Sequence, residues 1–353
     1  MPRIERFFAN TKVSDWTSGA FGGGGGGFCA VGGNGGSVYP NPAGGIFVSH
    51  EFTASGNLYV TAGEGDVDML IVAGGGGGGQ YQVGSGGGGG AGGFRELASI
   101  PLTSTGGPGA DGIYPIVVGA GGVENPGQSM YPSISDPAHL GVGNDSTGLG
   151  YTSAGGGAGG SWYATNSYPP TTPYAYIHAG IAGGSGGGGM GAVWGPPSNR
   201  PTYSVPEIDP AHVAGAGNTP PESPSQGNAG GNGAYSPPST SYPARAVGGG
   251  GGGGAGGAGT IALIPGASYP QYAVGGNGGA GAPNSYSTGS PVLYGGGGKG
   301  TVQSGSEGSN GPGGGGGTAN TGGGGISHGY WAPYYPMRAG GSGIVVIRYA
   351  VPA

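Results

Sequence analysis

The chain has 353 residues, 100 of them glycine and 31 proline, and only 7% are charged, for a formal net charge of −6. So little charge excludes the self-repelling kind of disordered chain, and nine basic residues in an acidic background leave no footprint for nucleic acid. The glycines lack a Gly-X-Y period, which excludes collagen, and no apolar run approaches the roughly 20 residues of a membrane-crossing helix.

Residues 1–45 read as an N-terminal attachment arm with a short glycine run, Gly22 to Gly27. Arg3 to Phe8 is the one stretch with any helical pattern. No apolar segment follows its charges, so no secretory signal is visible; a protein working outside the cell would leave by another route, of which lysis is one. Cys29 is the single cysteine. It excludes an intrachain disulfide and reads as a small buried residue.

Strand signals come next. Ile46 to Thr53 alternates apolar and polar residues, Asn57 to Thr61 follows across Ala54-Ser55-Gly56 as a hairpin would, and Asp66 to Ala73 runs directly into six glycines. Gly112 to Gly119 is a fourth strand, and Pro115 within it suits an edge or a bulge. Gly343 to Tyr349 is the fifth. To pair with strands near residue 66 it must close the domain across everything between.

What lies between alternates glycine runs with irregular Tyr/Pro/Ser/Thr segments. The runs include Gly74 to Gly79, Gly86 to Gly90, Gly186 to Gly189, Gly248 to Gly254, Gly295 to Gly298, Gly313 to Gly317 and Gly322 to Gly325. Polyglycine favours the polyproline II geometry, with three residues per turn and every N–H and C=O pointing outward. Such runs form a flexible linker in water, or a lattice in which neighbouring rods satisfy one another. The expected fold is therefore mostly irregular/β: stacked polyglycine type II helices in a sandwich over residues 46–353, framed by strands near 46–73, 112–119 and 343–349.

The irregular segments carry seven Tyr-Pro pairs, at Tyr39, Tyr114, Tyr131, Tyr168, Tyr242, Tyr269 and Tyr335. Proline stiffens a loop, and an aromatic ring offers a flat apolar face to a sugar or a protein. Candidate receptor-contact residues are Trp162, Tyr168, Tyr174, Trp194, Tyr203, Tyr242, Tyr269, Tyr286, Trp331 and Tyr335. The competing reading is that such tyrosines cap the glycine slab against water.

Catalytic and ligand motifs carry no weight here. The many G-x-G-x-x-G matches open no helix, and Gly300 stands where a phosphate loop needs Ser or Thr after Lys299. Gly183-Gly184-Ser185-Gly186-Gly187 lacks the strand–helix setting of a nucleophile elbow. The five histidines, His50, His139, His178, His212 and His328, have no metal-ligand spacing. No enzyme, metal or cofactor is expected. Asn144-Asp145-Ser146 is the one glycosylation sequon noted.

Several segments in order resemble one family: Phe52-Thr53, Leu58 to Thr61, DVDMLIVAGGGGGG from Asp66, GGGGGAGGFR from Gly86, IVVGAGG from Ile116 and GGSGIVVIRY from Gly340. Together, over about Phe47 to Tyr349, they resemble the glycine-rich domain of tailed-phage tail-fibre and related virion proteins. The composition is also similar to the polyglycine sandwich tip adhesins of T-even-like phages. The resemblance implies a virion protein, found outside the cell after release. Its expected partners are other tail proteins or copies of itself, and a host cell-surface glycan or protein. It implies no catalytic residues. The alternative expectation is a self-assembling extracellular glycine-rich fibril. Ice binding is a weaker third reading, because bulky loops interrupt any regular face of small residues.

Overall fold

The structure is a computed structural model that describes residues 27–79, 85–123, 141–164, 175–191, 212–235, 247–265, 272–302, 305–327 and 339–352. The described residues contain no α-helix. They form two five-stranded sheets, several two-stranded ladders, and extended glycine segments belonging to neither class. The Arg3 to Phe8 pattern and the Gly22 to Gly27 run lie outside the described residues.

The strands of the two sheets are β1 (Cys29–Gly32), β2 (Val38–Pro40), β3 (Ile46–Phe52), β4 (Gly56–Ala62), β5 (Glu64–Val72), β6 (Phe94–Thr103), β7 (Ile113–Val117), β8 (Ser146–Gly148) and β9 (Tyr151–Ser153), with the C-terminal strand Ile344–Val351. One sheet runs β2–β3–C-terminal strand–β5–β6, the other β1–β4–β7–β8–β9. Phe52, Leu58, Val60, Met69, Ile71, Ile116, Val345 and Ile347 fill the space between them.

The C-terminal strand sits centrally, antiparallel to both β3 and β5. Alternate residues face opposite sides of a strand. Val345 and Ile347 therefore join the inter-sheet core, while Ile344 and Val346 meet Leu70, Val72 and Tyr294 in a second cluster on the outer face. Burial on both faces explains why Met69 to Val72 and Ile344 to Ile347 read as unbroken apolar runs.

Three local expectations are corrected. Ala54-Ser55-Gly56 does not turn a hairpin: β3 and β4 belong to different sheets, and the link carries the chain between them so that Phe52 and Leu58 both enter the core. β7 is not an edge, since it pairs with β4 and β8; Pro115 opposes Asn57 and lies just before the residues that meet β8. The strands β1, β2, β6, β8 and β9 escape the sequence reading because they are short or carry glycine, proline and charge. In β6, Ser99 is held at φ 54 opposite a pairing irregularity between Val67 and Met69.

Beyond the sandwich the glycine segments lie side by side. The N–H groups of Gly74, Gly75 and Gly76 donate to Asn144, Gly341 and Gly90, and Gly77 returns to the first neighbour at Gly141. The carbonyls of Gly74, Gly75 and Gly76 accept from Gly156, Gly122 and Gly325. Neighbours thus change with every residue and recur every third, and segment 73–79 has six of them.

Segments 85–93 and 248–254 repeat the pattern. The former bonds to 154–160, 248–254, 321–327, 73–79, 185–191 and 295–301; the latter to 295–301, 185–191, 257–262, 275–281, 85–93 and 226–233. Neighbours of a central segment also bond to each other, as Gly160 does to Gly188 and Gly324 to Gly296. Each of these segments is thus surrounded by six others, at a spacing that excludes a side chain at the glycines facing them. A Cβ on Gly251 would overlap the carbonyl of Asn277, and one on Gly88 the carbonyl of Gly298.

Gly251→Val is expected to abolish soluble folded protein, whereas Ala258→Val, at an exposed position, should leave the melting temperature within a few degrees of wild type. Thermal unfolding with soluble yield checks both, and a folded, soluble Gly251→Val protein would contradict the packing.

Candidate functional site

The molecule has two chemically different ends. Segments 73–79, 119–123, 154–160, 185–191, 226–233, 257–262, 295–301 and 321–327 run away from the sandwich, and their partners return to it. The described residues flanking 80–84, 124–140, 165–174, 192–211, 236–246, 266–271, 303–304 and 328–338 consequently gather at the end opposite the sandwich. Cross-links there are local. Ser85 bridges Gly191, Gly248 bridges Val302, Leu263 bridges Val274, and strand Ser161–Ala164 pairs with Ala175–His178.

The floor of this end carries exposed apolar side chains, among them Val123, Val213, Leu263 and Tyr272, beside a few polar ones. His212 Nδ1 lies 2.8 Å from the Met190 carbonyl, and the Ser327 hydroxyl donates to the Lys299 carbonyl at 3.1 Å. Lys299 pairs with Glu307. Among the described residues no three His, Cys, Asp or Glu side chains are grouped to hold a metal ion.

Both described chain ends lie at the other pole. β1 enters with Cys29 opposite Ala62, and the C-terminal strand leaves past Tyr349, whose ring meets Phe28 edge-on at 4.9 Å. The axis from chain ends to segment anchors therefore spans the whole described fold.

Of the candidate contact residues, Trp162 lies in the strand rising from the anchor end, opposite Ile177. Tyr168, Tyr174, Trp194, Tyr203, Tyr242, Tyr269, Trp331 and Tyr335 lie outside the described residues; the described residues on either side of them are at that same end. Tyr286 lies at the opposite pole. It sits on the strap formed by Ala282–Asn284 and Val292–Tyr294, which covers the outer face of the first sheet.

There the Arg348 guanidinium lies 3.8 Å from the Tyr286 ring centroid and 4.3 Å from that of Phe47, and pairs with Asp68 at 3.1 Å. The Tyr39 hydroxyl donates to the Tyr286 carbonyl at 2.8 Å, the Ser49 hydroxyl to the Ser287 carbonyl at 3.0 Å, and the Ser287 hydroxyl to Glu51. Burial raises the Tyr39 and Tyr286 phenols above their ordinary range.

The two Tyr-Pro pairs among the described residues both serve the scaffold. Tyr39 is buried under the strap, and the Tyr114 hydroxyl bonds to the backbone of Thr103. The Arg348 cluster was not readable beforehand, because Arg348 and Asp68 are 280 residues apart. Gln226 is likewise buried without a sequence signal; it accepts from Ala154 N and donates to the Pro220 carbonyl.

One buried group gives the sandwich a pH dependence. His50 is fully buried, its Nδ1 3.1 Å from the Gly32 carbonyl, its ring stacked on Tyr349, and its Nε2 without a partner. Burial lowers its pKa below the ordinary value and pushes the Tyr349 phenol up to about 12.

The family model of the glycine-rich domain matches residues 53–350, and the chain belongs to that family. No curated protein and no solved structure matches it.

The unfolded chain takes up a proton on His50 near its ordinary pKa while the folded chain resists it. Folding stability should therefore fall as pH drops below about 6.5, by at most ~1.4 kcal/mol per pH unit from this group. Denaturant unfolding between pH 7.5 and 5 should show a shallower loss in His50→Phe than in wild type; identical slopes would remove His50 from the account.

Proposed function

We propose that this member of the glycine-rich domain family is a phage virion structural protein, a tail-fibre or receptor-binding component. It would attach near its chain ends and present Tyr/Pro-rich segments at the opposite pole to a host cell-surface glycan or protein. The observation that carries this reading is directional. The segments holding nine of the ten candidate aromatic residues are anchored at one end, and the described chain ends lie at the other. Such polarity suits a tip module, whose binding residues must point away from the particle. Other tail proteins are the proposed partners at the sandwich pole.

We propose further that the glycine segments are polyglycine type II helices. A threefold helix with outward amides presents a new neighbour at each residue and the first again at the fourth, as Gly74 to Gly77 do. The proposed role is non-catalytic. Rigidity is its mechanism: a hydrogen-bonded array fixes the anchors, so side chains between them meet a receptor with less ordering entropy left to lose.

Purified protein should bind cells of a susceptible bacterial host and compete with phage adsorption. Trp194→Ala and Trp331→Ala should each weaken binding about tenfold or more, in the range of interface hot spots, without changing the melting temperature. Tyr286→Ala should do the reverse, lowering the melting temperature by removing the stack on Arg348 and leaving binding intact. Loss of binding in Tyr286→Ala alone would refute the assignment of poles.

A further inference from the structure

The segments at the rim of the array differ from the interior ones in which residues they turn outward. In 275–281, Gly275 and Gly278 face the carbonyls of Gly300 and Gly297, and Gly276 and Gly279 face those of Thr260 and Gly257. The third register, Val274, Asn277 and Ala280, is exposed. Segment 226–233 repeats this: Gly230 and Gly233 face Gly187 and Met190, Gly231 faces Thr260, and Ala229 and Asn232 are exposed. On the far rim Gly119 and Gly122 face Asn144 and Gly141, Gly121 faces Gly340, and Ala120 and Val123 are exposed.

These rim segments thus place glycine where a Cβ would meet a neighbouring backbone and exposed side chains in the remaining register, as segment 257–262 also does with Ala258 and Ile261. In that register Asn277 and Asn232 accept from Ser309 and Ala214 of flanking segments, while Ala120, Val123, Ala258, Ile261 and Ala280 face outward. The physical consequence follows from the interior. Where a glycine faces a neighbouring carbonyl, a Cβ would overlap it. Single alanines such as Ala91 and Ala158 are buried at other positions of the array, but a register that presents a side chain at every third residue, as the rim registers do, leaves no glycine for a further segment to approach. The exposed amides of an edge otherwise invite addition of a further chain.

We infer that the outward side chains terminate the array, and that what they exclude is a glycine segment of a second copy of this chain. The inference rests on the reading of the segments as threefold helices. It sets the growth of the array to one molecule wide, and it makes the difference between a display module and a laterally growing fibril a matter of a few Cβ atoms.

The test replaces Ala258, Ile261, Asn277 and Ala280 together by glycine, with a parallel variant carrying serine at the same four positions. Should the fourfold glycine variant not fold, Ala258→Gly/Ala280→Gly, which removes no side-chain hydrogen bond, takes its place. Sedimentation velocity across a concentration series is the readout, with thermal melting confirming the fold. The expected result is a single unchanging species for wild type and the serine variant, and for the glycine variant a concentration-dependent shift to twice the mass and beyond. A wild type that already assembles overturns the inference, as does a folded glycine variant that sediments like the serine variant. Cell binding by wild type is scored separately, so failure here leaves the display reading standing or falling on its own assay.

Discussion

The structure depends on one contact: a glycine N–H meeting the carbonyl of a neighbouring segment at 2.7–3.2 Å, across a gap that admits no Cβ. Ordering a residue's backbone costs roughly 1–2 kcal/mol, and a net hydrogen bond contributes about 1 kcal/mol. An isolated pair of glycine segments would therefore not hold. In the centre of the array each glycine both donates and accepts, with six segments around it, so a bond broken at one position strands amides on its neighbours. The array is either assembled as a whole or absent, and side-chain identity enters it chiefly by exclusion.

The sandwich sets the register of that array. β5 delivers the chain into 73–79 and β6 takes it back from 85–93, while the C-terminal strand receives it from 339–343 and locks between β3 and β5. Because that strand pairs with residues some 280 positions earlier, the sandwich core is incomplete until the last glycine segment has arrived. The strap over Arg348 and the loop around Gln226 fasten the remaining turns to the sheets. The sandwich thus combines sheet pairing with a packed apolar core, the glycine array rests mainly on backbone hydrogen bonds, and continuous strands join the two.

Much of this was legible in the sequence, and the limits are physical. Five strands announced themselves because they are apolar on one or both faces, and the unbroken runs Met69 to Val72 and Ile344 to Ile347 did so most clearly. The five missed strands of the sheets, β1, β2, β6, β8 and β9, are short or carry glycine, proline or charge, which weaken intrinsic preference and leave tertiary pairing to decide. The hairpin read at Ala54-Ser55-Gly56 failed because a turn-like tripeptide cannot say whether the next strand pairs with the last or crosses to another sheet. Of the candidate site, the concentration of aromatic segments was readable, but that the described residues flanking them gather at one pole was not, since it follows from the direction of each glycine segment. Tyr286 shows the limit: its Tyr/Pro/Ser setting looks like the others, yet its partners Tyr39, Phe47 and Arg348 come from distant strands.

The most direct test of the account is amide hydrogen exchange at Gly74 to Gly79, Gly86 to Gly90 and Gly248 to Gly254, read by NMR on glycine-labelled protein. These amides should exchange only through global opening, with protection equal to that of Met69 to Val72 in the sandwich. Exchange at the rate of an unstructured glycine peptide, with the sandwich still protected, would show the segments to be a linker and would contradict the array.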